Sequence, residues 1–186
     1  ELAPDGRSFA ILAGDGTPSL LDASTGRRFR ALPRSPLWPQ TERARLDGFT
    51  FSRDGTRLLA VSWGGEDGVV RKLDDEGKVT AEANVGAAVA SLAVTSDAKS
   101  VVVACKDGNV VVLDGELKQS GKKSFSQRKL RVVITDGKSI AVSGDDGVVR
   151  VTSVSLNGDV KELAGHDGGV NALAFLPRDG RLASGG

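Results

Sequence analysis

The chain predicts an all-β fold built from repeated four-stranded antiparallel sheets, and three observations carry that prediction. Asp-Gly recurs in two interleaved series. The first is Asp5-Gly6, Asp54-Gly55, Asp97-Ala98, Asp136-Gly137 and Asp179-Gly180; the second is Asp15-Gly16, Asp67-Gly68, Asp107-Gly108 and Asp146-Gly147. The second series advances by 52, 40 and 39 residues, so a period near 40 residues contains two tight turns. Asp-Gly suits hairpin turns because it tolerates positive φ, and a 40-residue period with two such turns means one four-stranded unit per repeat. Glycine supplies 24 of 186 residues, roughly twice the usual share, without a collagen period. Valine, whose branched side chain packs well on pleated strands, is abundant between the turns.

Taken in order, residues 1–32 are expected to form a partial unit. It holds the end of one strand before Asp5-Gly6, then strands over 8–13, 17–21 and 27–32. The second unit, 47–84, predicts strands over 48–52, 57–62, 69–73 and 78–83. The third, 87–122, predicts 89–94, 100–105, 109–113 and a poorer outer strand near 117–122. The fourth, 128–163, predicts 130–134, 139–143, 148–152 and 159–163. The fifth, 165–186, stops after strands over 170–175 and 182–186. Apolar residues in the fifth unit fall on both alternating sets, Val170, Ala172, Ala174 and Leu173, Phe175, as in a strand buried on both faces.

The fifth unit carries a specific pattern. Gly165-His166 precedes the strand to Phe175, then Leu176-Pro177-Arg178-Asp179-Gly180, then Leu182-Ala183-Ser184-Gly185. It resembles the WD-repeat family of β-propellers, in which Gly-His, Phe-Ser-Pro-Asp-Gly, Leu-Ala-Ser-Gly, an Asp-Gly turn and a closing Trp-Asp mark each blade. The family's four strands are labelled a to d from the axis outward. Elsewhere the pattern is degenerate: Leu21-Asp22, Leu73-Asp74 and Leu113-Asp114 stand for Trp-Asp, and Thr152-Ser153 departs from it. The resemblance implies a β-propeller of four-stranded antiparallel blades, with an incomplete ring in this chain. Either the missing blades lie in the same polypeptide, the favoured expectation, or another chain completes them. Open blade edges invite pairing, so an oligomeric or poorly soluble segment is expected. The resemblance also implies a structural role for His166, bonded toward Ser184. Asp15, Asp67, Asp107 and Asp146, without a histidine in their own blades, are expected to cap their turns.

The 52-residue step exceeds the repeat by about 12 residues, and the excess lies at 33–46. In the propellers resembled, a d-to-a connection lies with the b–c turns on the top face. The segment holds Pro33, Pro36 and Pro39 around Trp38, with Arg43 and Arg45 beyond. Because Trp and Arg are enriched in binding hot spots, Trp38, Arg43, Arg45, Trp63 and Glu66 are the expected partner contacts. The competing reading folds Leu37 and Trp38 back over the gap between the first two blades.

Chemistry is sparse. With one His and one Cys, most nucleophile–base machinery is missing, and no phosphate loop, nucleophile elbow, haem-attachment or zinc-helix motif occurs. Cys105 sits in the apolar run from Val101 and reads as a buried structural thiol. One Asp per turn does not converge the six or more oxygens calcium needs, and Asp74-Asp75 and Asp145-Asp146 read as solvated turn residues. No catalytic residue, metal or cofactor is expected. Lys plus Arg number 25 against 24 Asp plus Glu, which argues against nucleic acid. The basic run from Lys118 to Lys129 reads as a solvated outer strand and connection. No membrane segment is expected. Lack of disulfides fits the cytoplasm, with the periplasm as alternative. The expected function is a non-catalytic scaffold for protein–protein interaction or complex assembly. The alternative is a propeller domain of a larger enzyme or regulatory protein, of quinone-dehydrogenase, cytochrome-fused or kinase-fused type. For the first of these, Asp15 to Gly26 is similar to one quinone-propeller repeat, with Phe29 where a Trp is usual.

Overall fold

Each turn-bounded period folds as an antiparallel meander, and the meanders stand side by side. The computed structural model describes residues 7–12, 18–31, 46–50, 59–63, 68–73, 78–176 and 181–186. The first sheet joins β1 (Ser8–Leu12), β2 (Pro18–Asp22) and β3 (Arg28–Ala31). The second joins β4 (Leu46–Thr50), β5 (Leu59–Trp63), β6 (Val69–Leu73) and β7 (Val79–Asn84). The third joins β8 (Val89–Val94), β9 (Ser100–Cys105), β10 (Asn109–Asp114) and β11 (Gln119–Ser124). The fourth joins β12 (Leu130–Thr135), β13 (Ser139–Gly144), β14 (Val149–Ser153) and β15 (Lys161–Leu163), and the fifth pairs β16 (Ala172–Phe175) with β17 (Leu182–Gly185). Among the described residues there is no helix. The first strands β4, β8, β12 and β16 pack against one another in succession, which makes the sheets blades around a common axis: a partial β-propeller.

Between blades lies the core, and strand alternation builds it. In β9, Val101, Val103 and Cys105 enter one cluster with Val70 of the second unit, Val85 of the connection, and Val89 and Leu92 of the third unit. Their neighbours Val102 and Ala104 enter another, with Leu130, Val133, Ile140 and Val142 of the fourth blade. β10 divides the same way, Val111 and Leu113 to the first cluster and Val110 and Val112 to the second. Successive side chains point to opposite faces, so a central blade must be apolar at every position of its middle strands. Each fully buried valine contributes about 1.5–3 kcal/mol relative to exposure, and these seams hold the array together.

Several strand limits differ from the sequence expectation. β4 starts at Leu46, which the sequence assigns to the inserted segment 33–46. Leu46 pairs with Trp63, and an irregularity between Leu46 and Gly48 interrupts the alternation that would have revealed it. β11 starts at Gln119 and β15 at Lys161, each two residues beyond expectation. Both shifts have one cause: Leu117 and Leu156 lie in turns at φ 60°, their N–H groups bonded to Asp114 and Ser153 carbonyls at 2.9 and 3.0 Å. Leucine gives no sequence signal for that conformation.

Candidate functional site

The top face is built where each b–c turn meets the segment entering the next strand a. Gly108 (φ 88°) accepts the Phe125 N–H at 2.9 Å, and Gly68 (φ 48°) accepts that of Val85 at 2.9 Å. A Cβ on Gly108 would stand 1.8 Å from the Ser126 carbonyl oxygen, and one on Gly68 1.7 Å from that of Ala87. The second Asp-Gly series therefore serves two needs at once: positive φ and room for the preceding connection to press on the turn.

The aspartates of these turns find different partners. Asp107 accepts the Asn109 N–H at 3.0 Å and the Asn109 side-chain amide at 2.6 Å. Asp146 accepts the Val148 N–H at 3.2 Å, and its other oxygen takes the Ser126 hydroxyl at 2.8 Å and Arg150 Nη1 at 2.7 Å. Arg150 Nε reaches Glu162 at 2.8 Å. A chain Ser126–Asp146–Arg150–Glu162 thus runs from the connection, through the turn and strand c, to strand d. Desolvation is the largest influence on Asp146 and raises its pKa; the bonds from Ser126, Arg150 and Val148 together outweigh it and hold the carboxyl below its usual value. Asp146 is not the solvated turn residue the sequence suggests, since its side chain is 17% exposed and that of Arg150 only 10%. Its neighbour Asp145 accepts from Arg131, whose guanidinium also donates to Asn171 of the fifth blade.

Beside this chain an open cleft of about 400 Å³ is lined by Ser124, Phe125, Ser126, Gln127, Arg128, Asp146 and Arg150. Phe125 is buried in the seam, so the basic run is not uniformly solvated; Gln127 and Arg128 are exposed.

His166 Nε2 and Ser184 Oγ share a hydrogen bond of 2.8 Å. Trp63 ends β5, its backbone paired with Leu46 and Val69. Trp38, Arg43, Arg45, Glu66, Asp15 and Asp67 lie outside the described residues. Cys105 is buried, and its thiol is pushed up to about 12 by that burial and then by Asp107, which suits core packing and not nucleophilic attack. Among the described residues no group of three His, Cys, Asp or Glu gathers as a metal site.

Sequence reasoning passed over Arg150, Glu162 and Ser126. A signal existed for the first two. Arg71 and Arg150 stand at one offset from Asp67-Gly68 and Asp146-Gly147, and Arg71 Nε likewise meets Glu82 on the paired strand at 2.5 Å. It also passed over the aspartate of the Leu-Asp pairs. Asp114 accepts the N–H groups of Glu116 and Lys118 at 2.9 and 2.8 Å. Asp22 accepts those of Ser24 and Thr25 at 3.0 and 2.8 Å. The aspartate of these Leu-Asp pairs caps the c–d turn.

The model of the family "WD domain, G-beta repeat" matches residues 157–186, the segment containing the His166–Ser184 pair. That segment is similar to one repeat of this family. Solved structures agree on the fold. A chain of the mitotic checkpoint complex matches with a TM-score of 0.79 at 21% identity, over 96% of this chain and 53% of that one. U3-55K matches with a TM-score of 0.79 at 18% identity, over 93% and 53%. The WD40 repeats of RRP9 match with a TM-score of 0.79 at 18% identity, over 93% and 52%. The chain therefore spans about half the length of these propellers. No curated protein sequence matches it.

Proposed function

We propose that the chain is a non-catalytic scaffold that presents its top face to a protein partner. One observation carries this reading: the top-face segments are fixed by backbone bonds at successive blades while the reactive side chains are engaged elsewhere. Val85 to Gly68 and Phe125 to Gly108 repeat the same closure at 2.9 Å in the second and third blades, and Val170 to Gly144 ties the next connection to the end of β13 at 3.0 Å. Loops held on rigid strands are suited to recognition. The one histidine is tied to Ser184 and the one cysteine is buried, so neither is poised as base or nucleophile. That a similar propeller belongs to the mitotic checkpoint complex is consistent with a role in assemblies. We place the partner contacts at Trp38, Arg43, Arg45, Trp63 and Glu66, on the segment 33–46 and the adjoining turn. Replacing Trp38 and Arg43 with Ala is expected to weaken partner capture while leaving the melting temperature unchanged. Capture equal to that of the unaltered chain removes this loop from the reading. A chromophore in the absorbance spectrum of the natively purified protein would instead support the quinone- or cytochrome-linked enzyme.

A further inference from the structure

The cleft between the third and fourth blades holds two arginines, one partly engaged by the fold and one that the fold does not use. Arg150 spends Nε on Glu162 and Nη1 on Asp146, and its Nη2 has no acceptor among the described residues. Its side chain is only 10% exposed, and Nη2 is not among the buried atoms without a partner, so that nitrogen reaches the solvent of the cleft that Arg150 lines while the rest of the guanidinium is held in place. Arg128 lines the same cleft, is exposed, and its side chain has no partner among the described residues. The Ser124 hydroxyl and the Gln127 amide are likewise unengaged at the rim. Phe125, 9% exposed, gives the cleft an apolar wall.

From this geometry we infer that the cleft binds an acidic side chain, Asp or Glu, of a protein partner lying across the third and fourth blades. The inference rests on the scaffold reading and names a contact separate from the segment 33–46. A carboxylate is planar and singly charged, and it matches the free edge of a guanidinium whose other edges are taken. A phosphate fits less well: the lining holds two cations and one carboxylate, and Glu162 sits on the far side of Arg150. A dianion would meet Asp146 with little surplus positive charge. Arg128 would close over the bound group from the rim, Ser124 and Gln127 would donate to it, and Phe125 would pack against its methylenes.

The test uses the whole chain and three capped, fluorescein-labelled peptides alike except for their centres: glutamate-rich, glutamine-rich and phosphoserine-containing. The glutamate peptide is expected to bind in fluorescence anisotropy, weakening as salt rises, and the glutamine peptide to bind at least tenfold more weakly. Arg128→Ala is expected to lose about tenfold in affinity for the glutamate peptide, the equivalent of about 1.4 kcal/mol. Its circular dichroism and melting temperature should not change, because the side chain supports nothing in the fold. Equal binding of the glutamate and glutamine peptides overturns the inference, as does an Arg128→Ala variant of unchanged affinity. Tighter binding of the phosphoserine peptide overturns the assignment to a carboxylate. Each of these leaves the scaffold reading standing, because partner capture through Trp38 and Arg43 is measured separately.

Discussion

Replacing Ser143 with alanine should make the protein more stable, whereas the same change at Ser184 should make it less so. The two serines hold one position in two blades. Ser143 pairs with Val132 of β12, and Ser184 with Leu173 of β16. Eighteen residues before Ser184 stands His166, which bonds to it at 2.8 Å. Eighteen residues before Ser143 stands Phe125, which cannot bond, and Ser143 Oγ is buried without a hydrogen-bond partner among the described residues. An unsatisfied buried hydroxyl costs about 1–3 kcal/mol, and the alanine methyl loses only a few tenths in packing. Ser143→Ala should therefore gain about 1 kcal/mol, or about 2–4 °C in melting temperature for a chain of this size. Ser184→Ala removes a made bond at an exposed site and should lose about 0.5–1 kcal/mol. Urea unfolding followed by circular dichroism reads both. A loss of stability at Ser143 would refute the reasoning, for it would mean that a water satisfies the hydroxyl in solution.

Three further outcomes follow from the turns. Gly108→Ala should cost about 3 kcal/mol or more, because the methyl would meet the Ser126 carbonyl at 1.8 Å and the residue would keep φ 88°; a thermal melt within a degree of the parent refutes it. Ala98→Gly should gain about 1 kcal/mol, since Ala98 stands at φ 57° where the other a–b turns have glycine; the urea midpoint should rise, and a fall would show that the methyl packs usefully. Acid should unfold the protein in part through its capping aspartates. Ser24 and Thr25 hold Asp22 at about 2, and Thr95 and then Lys99 hold Asp97 below its ordinary value. With folded pKa values depressed, their contribution is complete above the unfolded value of 3.8 and is lost as pH falls from there toward about 2. Melting temperature measured across that window should drop less steeply in an Asp22→Asn Asp97→Asn variant; an identical slope rejects the assignment.

Much of the fold was legible because its signals are local and periodic. Asp-Gly pairs mark turns whose geometry excludes most other residues. The mixed apolar pattern of Val170 to Phe175, read as a strand buried on both faces, instead gives a β16 exposed at Ala172 and Ala174 and half-buried at Leu173 and Phe175. What stayed hidden depends on residues that make no such demand. Leu117 and Leu156 adopt the left-handed conformation because the turns closed by the Asp114 and Ser153 carbonyls impose it, and they then bury their side chains in the seams, 3% and 7% exposed. The cleft was hidden for another reason. Ser126, Asp146 and Arg150 are separated by 20 and 4 residues, a spacing with no meaning until the blades are stacked. Only the recurrence of an arginine at one offset in two blades hinted at a common role.

The b–c aspartate shows how one position can serve several ends without changing the fold. In the third blade it is spent locally, on Asn109. In the fourth it is drawn into a chain with Ser126 and Arg150 that links the connection to strands c and d. Residue 125 bears on the same region. Phe125 in the histidine position fills the seam with apolar surface but leaves Ser143 orphaned. Asp146, with no histidine to engage, turns to Arg150 and occupies one of its nitrogens. The guanidinium is thereby fixed with another nitrogen facing no partner, beside the exposed Arg128. What separates the two blades is strand c, where Val111 stands four residues after Asp107 and Arg150 four residues after Asp146. A Phe125→His variant should accordingly bond Ser143 and compete with Arg150 for Asp146, trading binding at the cleft for stability of the blade.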